Sequence, residues 1–284
     1  MEEKQGILFM CATPIGNLED ITFRAVRVMK EVDIIAAEDT RHTRKLLTHY
    51  DIHTELISYH EHNKFSQGPE IIKNLLAGKD VLLVSDAGLP GIADPGSHLV
   101  ELAIDAGICV TPLPGANAAL SGLICSGIDT TTFYFSGFLP KTAKKRRDTL
   151  QALVHQRSTL LFYESPHHLK DTIKEFAEVF GESRQITVAR ELTKKFEEFW
   201  RGTIGSIAKK LDTTQPRGEF CLIVAGYDGS EPVLVEEKLE PIELVTKLMN
   251  EGLTKKAAIK EAASQLQIQK RSVYQALLEH DNKI

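Results

Sequence analysis

The chain has 284 residues, 42% of them hydrophobic and 26% charged, with a formal net charge of −5. This length accommodates one large or two compact domains plus a small appendage, around a core of ordinary size. The acidic balance excludes a uniformly basic nucleic-acid coat but leaves a local basic patch open.

Met1 to Met10 mixes acids and bases with a short apolar run, which does not read as a signal peptide. From Ile7 to Ala12 the residues predict a strand, and Asp20 to Glu31 a helix with Ile21, Ala25, Val28 and Met29 at helical spacing. Asp33 to Ala37 predicts a second strand. Pro69 to Ala77 follows as a helix, then the strands Val81 to Val84, Ile108 to Val110 and Thr132 to Phe135. Such alternation of strand and helix points to an α/β fold with a largely parallel sheet. A break is expected from Phe138 to Arg147. Beyond it Thr159 to Tyr163, Gln185 to Ala189 and Phe220 to Ala225 read as strands of a second α/β unit. Asp228 to Pro241 has a linker's composition. Three short helices, Ile242 to Asn250, Thr254 to Leu266 and Lys270 to Glu279, resemble a helix-turn-helix unit. The domains so delimited are 1–137, 138–228 and 241–284.

No run of about 18 apolar residues is present, so no membrane span or membrane partner is expected. Cys11, Cys109, Cys125 and Cys221 form no C-x-x-C pair and sit in apolar stretches. They are expected as buried free thiols of a reducing, cytoplasmic compartment.

Three loops rich in glycine and proline follow predicted strands: Ala12 to Leu18, Ser85 to Gly96, and Pro112 to Ala119. In open α/β sheets ligands bind outside the carboxyl ends of the strands, so three such loops on one edge make a crevice. Each loop alone also reads as a tight turn. None matches a P-loop or an ordinary dinucleotide fingerprint.

Residues with chemistry cluster nearby. Glu38, Asp39 and Arg41 end the second strand; the competing reading is a helix N-terminus capped by Asp39 or Thr40. His60, Glu61 and His62 form a polar loop. His-x-His alone lacks a third ligand at metal spacing, so no metal is expected. Glu164 and Glu191 stand at strand ends in the second half, where pairing with arginines is the alternative role. Ser165 lies outside any nucleophile elbow, which disfavours a hydrolase.

The stretches Ala12 to Thr22, Ala37 to Arg41, Ser58 to Asn63, Val84 to Gly88, Phe162 to His167 and Arg190 to Lys194 resemble the bacterial small-subunit rRNA cytidine 2′-O-methyltransferases, within the tetrapyrrole-methylase superfamily. The resemblance runs from about Ile7 to Ala225. It implies a two-domain tetrapyrrole-methylase-like α/β fold, with the helical tail as a small C-terminal domain. It also implies S-adenosylmethionine as methyl donor in the interdomain cleft, a homodimer, and 16S rRNA of the small ribosomal subunit as partner, with cytidine 1402 the methylated nucleotide. Carried over residue by residue, the donor contacts are Pro14, Ile15 and Gly16 in the first loop, Asp86, Gly88 and Leu89 in the second, Gly115, Asn117 and Ala118 in the third, and Tyr163. This chain has Leu89-Pro90 where the pattern has Thr-Pro, Asn117 in place of Ser, and His168 in place of Arg.

A ribose hydroxyl is a poor nucleophile at neutral pH and needs a base or a cation beside it. Glu38, Asp39, His60, Glu61 and His62 are the candidates for the base, and Arg41 for orienting a phosphate or polarising the hydroxyl. Phosphate contacts are expected from Lys144, Lys145, Arg146 and Arg147, and from Lys255, Lys256 and Arg271 in the tail. Competing readings are a methylase of a small tetrapyrrole and a non-catalytic RNA-binding protein.

Overall fold

The computed structural model describes residues 5–92, 94–229, 241–250, 253–266 and 268–281. The chain forms two compact units, 1–232 and 233–284.

The first unit holds two five-stranded sheets. One contains β1 (Ile7–Cys11), β2 (Ile34–Ala37), β3 (Glu55–Ser58), β4 (Val81–Val84) and β5 (Cys109–Leu113), in the order β3-β2-β4-β1-β5. Every neighbouring pair is parallel. β2 (IIAA) and β4 (VLLV) are buried at every position, as parallel strands covered on both faces must be. Helices α1 (Phe23–Glu31) and α2 (Thr40–His49) cover one face through Ala25, Val28, Met29, Leu46 and Leu47. The opposite face is covered by α3 (Lys64–Leu76) and α4 (Gly96–Asp105), through Ile71, Leu75, Leu99 and Ala103. Thr22 caps α1 by accepting from the Ala25 N–H at 3.1 Å, and a 3-10 turn over Leu18–Asp20 precedes it. β4 therefore sends its helix to one face, whereas its neighbours β1 and β2 send theirs to the other. Its carboxyl end is a topological switch point, where a crevice opens.

After α5 (Ala118–Ile124) the chain builds the second sheet. Its strands are β6 (Phe133–Phe138), β7 (Thr159–Glu164), β8 (Gln185–Arg190), β9 (Glu198–Thr203) and β10 (Phe220–Val224), in the order β6-β7-β10-β8-β9. Only β6 and β7 run parallel; β7-β10, β10-β8 and β8-β9 are antiparallel. The parallel arrangement expected from alternation thus holds for the first sheet and not for the second. Helices α6 (Ala143–Ala152), α7 (Leu169–Phe180) and α8 (Ile204–Thr213) pack one face of this sheet around Leu150, Phe162, Phe176 and Leu222. Its other face carries α5 and Ile15 from the loop after β1. The boundary expected at 137/138 falls within β6.

The second unit holds α9 (Pro241–Asn250), α10 (Lys255–Gln265) and α11 (Lys270–Asp281). Leu244, Val245, Leu248, Ala258, Ala262, Val273 and Leu277 form its core. Thr254 caps α10 by accepting from the Ala257 N–H at 3.4 Å. Most of the expected linker, 230–240, lies outside the described residues, as do Ala93 of the second loop, Gln267 between the last two helices and residues 1–4. The thiols divide: Cys11 and Cys221 are buried, whereas Cys109 and Cys125 are exposed, contrary to the expectation for all four. Burial raises both Cys11 and Cys221 to about 12.

Candidate active site

The three glycine- and proline-rich loops converge as the switch point requires. The loops after β1 and β4 are stitched together by a reciprocal pair of bonds: the Thr13 N–H donates to the Gly88 carbonyl at 2.9 Å, and the Gly88 N–H returns to the Thr13 carbonyl at 3.0 Å. The Thr13 hydroxyl donates to the Ser85 carbonyl at 3.2 Å. Gly88 has φ +79°, a left-handed conformation that side chains resist. A Cβ there would stand 3.4 Å from Ile15 Cγ2.

Between the sheets lies a cavity of about 470 Å³, within the range of small-ligand sites. Its walls come from both sheets. Ile15, Asp86, Gly88, Leu89, Asn117, Ala118 and Tyr163, expected as donor contacts, all line it. Pro14, Gly16 and Gly115 do not. Gly115 is pressed against the end of β1, where a Cβ would fall 2.9 Å from Ala12 Cβ. Gly16 reaches across to the second half of the unit, where a Cβ would fall 2.3 Å from Lys194 Cγ. These two glycines allow close approach of protein to protein rather than of backbone to ligand. The loop that receives Gly16 holds two non-glycine residues at positive φ, Glu191 (51°) and Thr193 (65°). Glu191 there accepts from Lys194 Nζ at 2.9 Å and from the Glu219 N–H at 2.9 Å, so its partner is a lysine and not the arginine expected as the alternative.

Among the residues expected to act on the acceptor, only Glu38 lines the cavity. Its carboxyl is raised above its ordinary value, first by desolvation and then by the neighbouring Asp86 and Asp94. His60 opposes that rise electrostatically. His60 Nδ1 is buried with no hydrogen-bond partner among the described residues. Asp39 instead caps α2, accepting from the Arg41 N–H at 2.8 Å and pairing with Arg41 Nη2 at 2.8 Å. That guanidinium holds the Asp39 carboxyl below the usual carboxylate range. The Arg41 side chain is 89% exposed. Glu61 pairs with Lys64 Nζ at 2.6 Å, and the exposed His62 stacks edge-on toward His60 at 6.0 Å.

Several cavity residues are not among the expected donor or acceptor contacts. Asp94 is folded in because its Oδ1 accepts from the Gly91 N–H at 2.7 Å and the Gly96 N–H at 2.8 Å; desolvation and Asp86 raise its carboxyl. Glu164, at the end of β7, is buried and accepts from the Ser165 N–H at 2.8 Å and the Thr172 hydroxyl at 2.6 Å. Ser165 Oγ is buried without a partner among the described residues. Phe138 and Leu192 add apolar wall. The Tyr163 hydroxyl accepts from the Ala119 N–H at 3.2 Å, and burial pushes it up to about 12.

The basic run divides. Lys144, Lys145 and Arg147 are exposed on α6, but Arg146 turns inward and holds Glu175 through Nε at 2.7 Å and through Nη2. In the tail Lys255, Lys256 and Arg271 are exposed. Among the described residues no group of three His, Cys, Asp or Glu has metal-holding geometry, and no helix is long and apolar enough to cross a membrane.

An apolar cleft between two sheets, closed by glycine turns and carrying carboxylates on one wall, suits a small organic molecule bearing positive charge. The tetrapyrrole (corrin/porphyrin) methylase model matches residues 8–208. Ribosomal RNA small subunit methyltransferase I of Bacillus subtilis is 51% identical over 274 residues, covering 95% of this chain and 94% of the relative. The protein of that name from Halalkalibacterium halodurans is 49% identical over 274 residues, covering 96% and 94%. Among solved structures, uroporphyrin-III-C-methyltransferase from Thermus thermophilus shares the fold with a TM-score of 0.57 at 18% identity, over 78% of this chain and 94% of that one. A diphthine synthase does so at 0.58 and 14%, over 77% and 89%. The fold is that of the tetrapyrrole methyltransferases, and the chain is a methyltransferase. This chain belongs to the tetrapyrrole methylase family, and its methyl donor is S-adenosylmethionine. The cavity fits that molecule: Ile15, Leu89, Ala118 and Leu192 offer apolar surface, Asp86, Glu38 and Asp94 offer negative charge to its ammonium and sulfonium, and the orphaned Ser165 Oγ offers an unused hydrogen bond.

Proposed function

We propose that this chain methylates the 2′-hydroxyl of a cytidine in 16S rRNA of the small ribosomal subunit, cytidine 1402 by its resemblance, in the cytoplasm where ribosomes are. Relatives about half identical over nearly the whole chain are named as small-subunit rRNA methyltransferases, which supports rRNA as the acceptor. The observation that carries the chemistry is Glu38, a carboxylate raised by desolvation on the wall of the donor cavity.

Transfer is an in-line displacement. The ribose oxygen forms a bond to the methyl carbon while the carbon–sulfur bond breaks, and its electron pair returns to sulfur, which becomes a neutral thioether. The hydroxyl proton goes to Glu38, whose carboxyl is raised by desolvation and is therefore a stronger base than an ordinary carboxylate. His60 opposes the rise at Glu38 and so favours its charged, proton-accepting form. Aligning oxygen, carbon and sulfur in one cleft supplies much of the acceleration, and the apolar wall favours a step in which positive charge on sulfur disappears. The donor is held by Ile15, Asp86, Gly88, Leu89, Asn117, Ala118 and Tyr163, while Pro14, Gly16 and Gly115 support these loops from behind. The α/β domains 1–137 and 138–228 each contribute one wall, and 241–284 is a helical appendage.

The chain acts as a homodimer. Ile124 on α5 and Phe133 and Tyr134 on the edge strand β6 leave apolar side chains exposed, which supports a second copy as their cover; sedimentation of the pure protein tests this.

The acceptor is tested by incubating the protein and methyl-labelled donor with small subunits lacking the modification, then digesting the RNA to nucleosides. Label in 2′-O-methylcytidine is expected. Label in another nucleoside, in an added tetrapyrrole or nowhere overturns the reading.

A further inference from the structure

Helix α2 carries no carboxylate: it reads Thr40-Arg41-His42-Thr43-Arg44-Lys45-Leu46-Leu47-Thr48-His49. Thr43, Leu46 and Leu47 are its buried positions. That spacing leaves Arg41, Arg44, Lys45, Thr48 and His49 on one exposed stripe, and ten residues give it a length of about 15 Å. Arg41 is tied to Asp39. Among the described residues neither Arg44 nor Lys45 enters an ion pair.

Stability does not account for this pattern. Cations in the first turn face the positive end of the helix dipole, where acidic residues belong. The dipole favours Asp or Glu in the first turn, and α2 has none there. Position matters as well. The main-chain N–H of Asp39, the N-cap, donates to Asp86 Oδ1 at 3.0 Å, so α2 starts at the cavity wall. That wall carries Glu38, Asp86 and Asp94, which repel phosphate. Affinity for a polyanion must come from outside the cavity, and α2 begins where the acidic wall ends.

We infer that the exposed stripe of α2 binds the phosphate backbone of the RNA acceptor and leads the strand to the cavity rim. This rests on the rRNA reading above. The test compares the wild-type chain with Arg44→Glu/Lys45→Glu, both positions exposed, and with Lys73→Glu on α3 as a control for net charge. Affinity for small subunits lacking the modification is measured across salt concentrations, and donor affinity is measured by calorimetry. The double variant is expected to keep the wild-type donor affinity while its logarithmic salt slope falls by about 2, roughly one for each phosphate no longer neutralised. Lys73→Glu is expected to leave the slope unchanged.

An unchanged slope in the double variant overturns the assignment. So does a fall in Lys73→Glu in proportion to its charge change, two units against four in the double variant, which would make the effect one of overall charge. Parallel loss of donor affinity also overturns it, because the stripe would then be supporting the cavity. A wild-type chain that binds donor but has no salt-dependent affinity for the subunit fails the rRNA reading itself, a result distinct from any failure of the variants.

Discussion

The main-chain N–H of Asp39 donates to Asp86 Oδ1 at 3.0 Å, joining the carboxyl end of β2 to that of β4 across the switch point. Asp86 therefore has two tasks, as an acceptor that fixes the start of α2 and as a negative charge on the cavity wall. Asp86→Asn separates them, because the amide oxygen can still accept while the charge is gone. The expected result is a folded protein with its thermal midpoint little changed and donor affinity weakened about 10- to 100-fold, the scale of a hydrogen bond to a charged group. Calorimetric titration with S-adenosylmethionine reads it; wild-type affinity would remove Asp86 from the donor site.

Glu38 supports a prediction with two opposite signs. Its folded-state carboxyl is raised, first by desolvation, so the folded protein holds its proton more tightly than the unfolded chain does. Stability from this group is complete below the unfolded value and is lost as pH rises through the folded one. Glu38→Gln should therefore unfold at a higher temperature than wild type at neutral pH, with the difference vanishing near pH 3, below the ordinary carboxylate value of about 4.3. Its methyl transfer should fall by about 10²- to 10⁴-fold, the usual range for loss of a general base. Thermal melts and single-turnover assays check the two halves, and a variant that is both destabilised and active contradicts both.

The same shift predicts proton release. A cationic donor entering beside Glu38 and Asp94, both raised by desolvation, favours their charged forms. Between the ordinary carboxylate value and the raised one, donor affinity should climb with pH. The measured binding enthalpy should then vary with the ionisation enthalpy of the buffer. In Glu38→Gln the dependence should shrink to what Asp94 contributes.

These residues differ in how far the sequence exposes them. Glu38 ends an unbroken apolar strand, so its place at the sheet edge follows from pattern. Asp94 reaches the cavity only because the Gly91 and Gly96 N–H groups curl its loop back on itself, which no periodicity records. β2 and β4 are legible as short buried runs. β3 is four residues at a sheet edge, opening on an exposed Glu55, and β9 carries Glu198 and Arg201 on an edge facing solvent; neither has an apolar run to announce it. Strand direction in the second sheet was hidden too. β8 and β9 are joined through the Glu191 to Glu197 loop, longer than a tight hairpin, and β10 inserts between β7 and β8 from far along the chain.

Gly88 is where loop geometry and donor binding meet. Its φ of +79° makes Gly88→Ala cost about 1 to 2 kcal/mol in backbone strain, and the new methyl meets Ile15 in ordinary contact. Both Thr13–Gly88 bonds depend on that conformation. The expected outcome is a lower melting temperature together with weaker donor binding, the latter because Ile15 and Gly88 line the same cavity. Melting with and without saturating donor resolves the two effects. An unchanged donor-induced shift would show the turn to be purely structural.

Arg146 and Lys145 are adjacent in one basic run and should behave oppositely. Arg146 is buried against Glu175, held by two of its guanidinium nitrogens, and removing one partner of a buried pair leaves the other's charge uncompensated. Arg146→Ala should destabilise the protein by about 3 kcal/mol. Lys145 is exposed, so Lys145→Ala should change stability by less than about 0.5 kcal/mol. If α6 touches RNA phosphate, that substitution should also lower the salt slope of subunit binding by about 1. Urea unfolding gives the first comparison and binding at graded salt the second. Equal, small stability effects at both positions would mean that the Arg146–Glu175 pair contributes nothing to the fold, and the run would then be four equivalent surface cations, as its composition alone suggests.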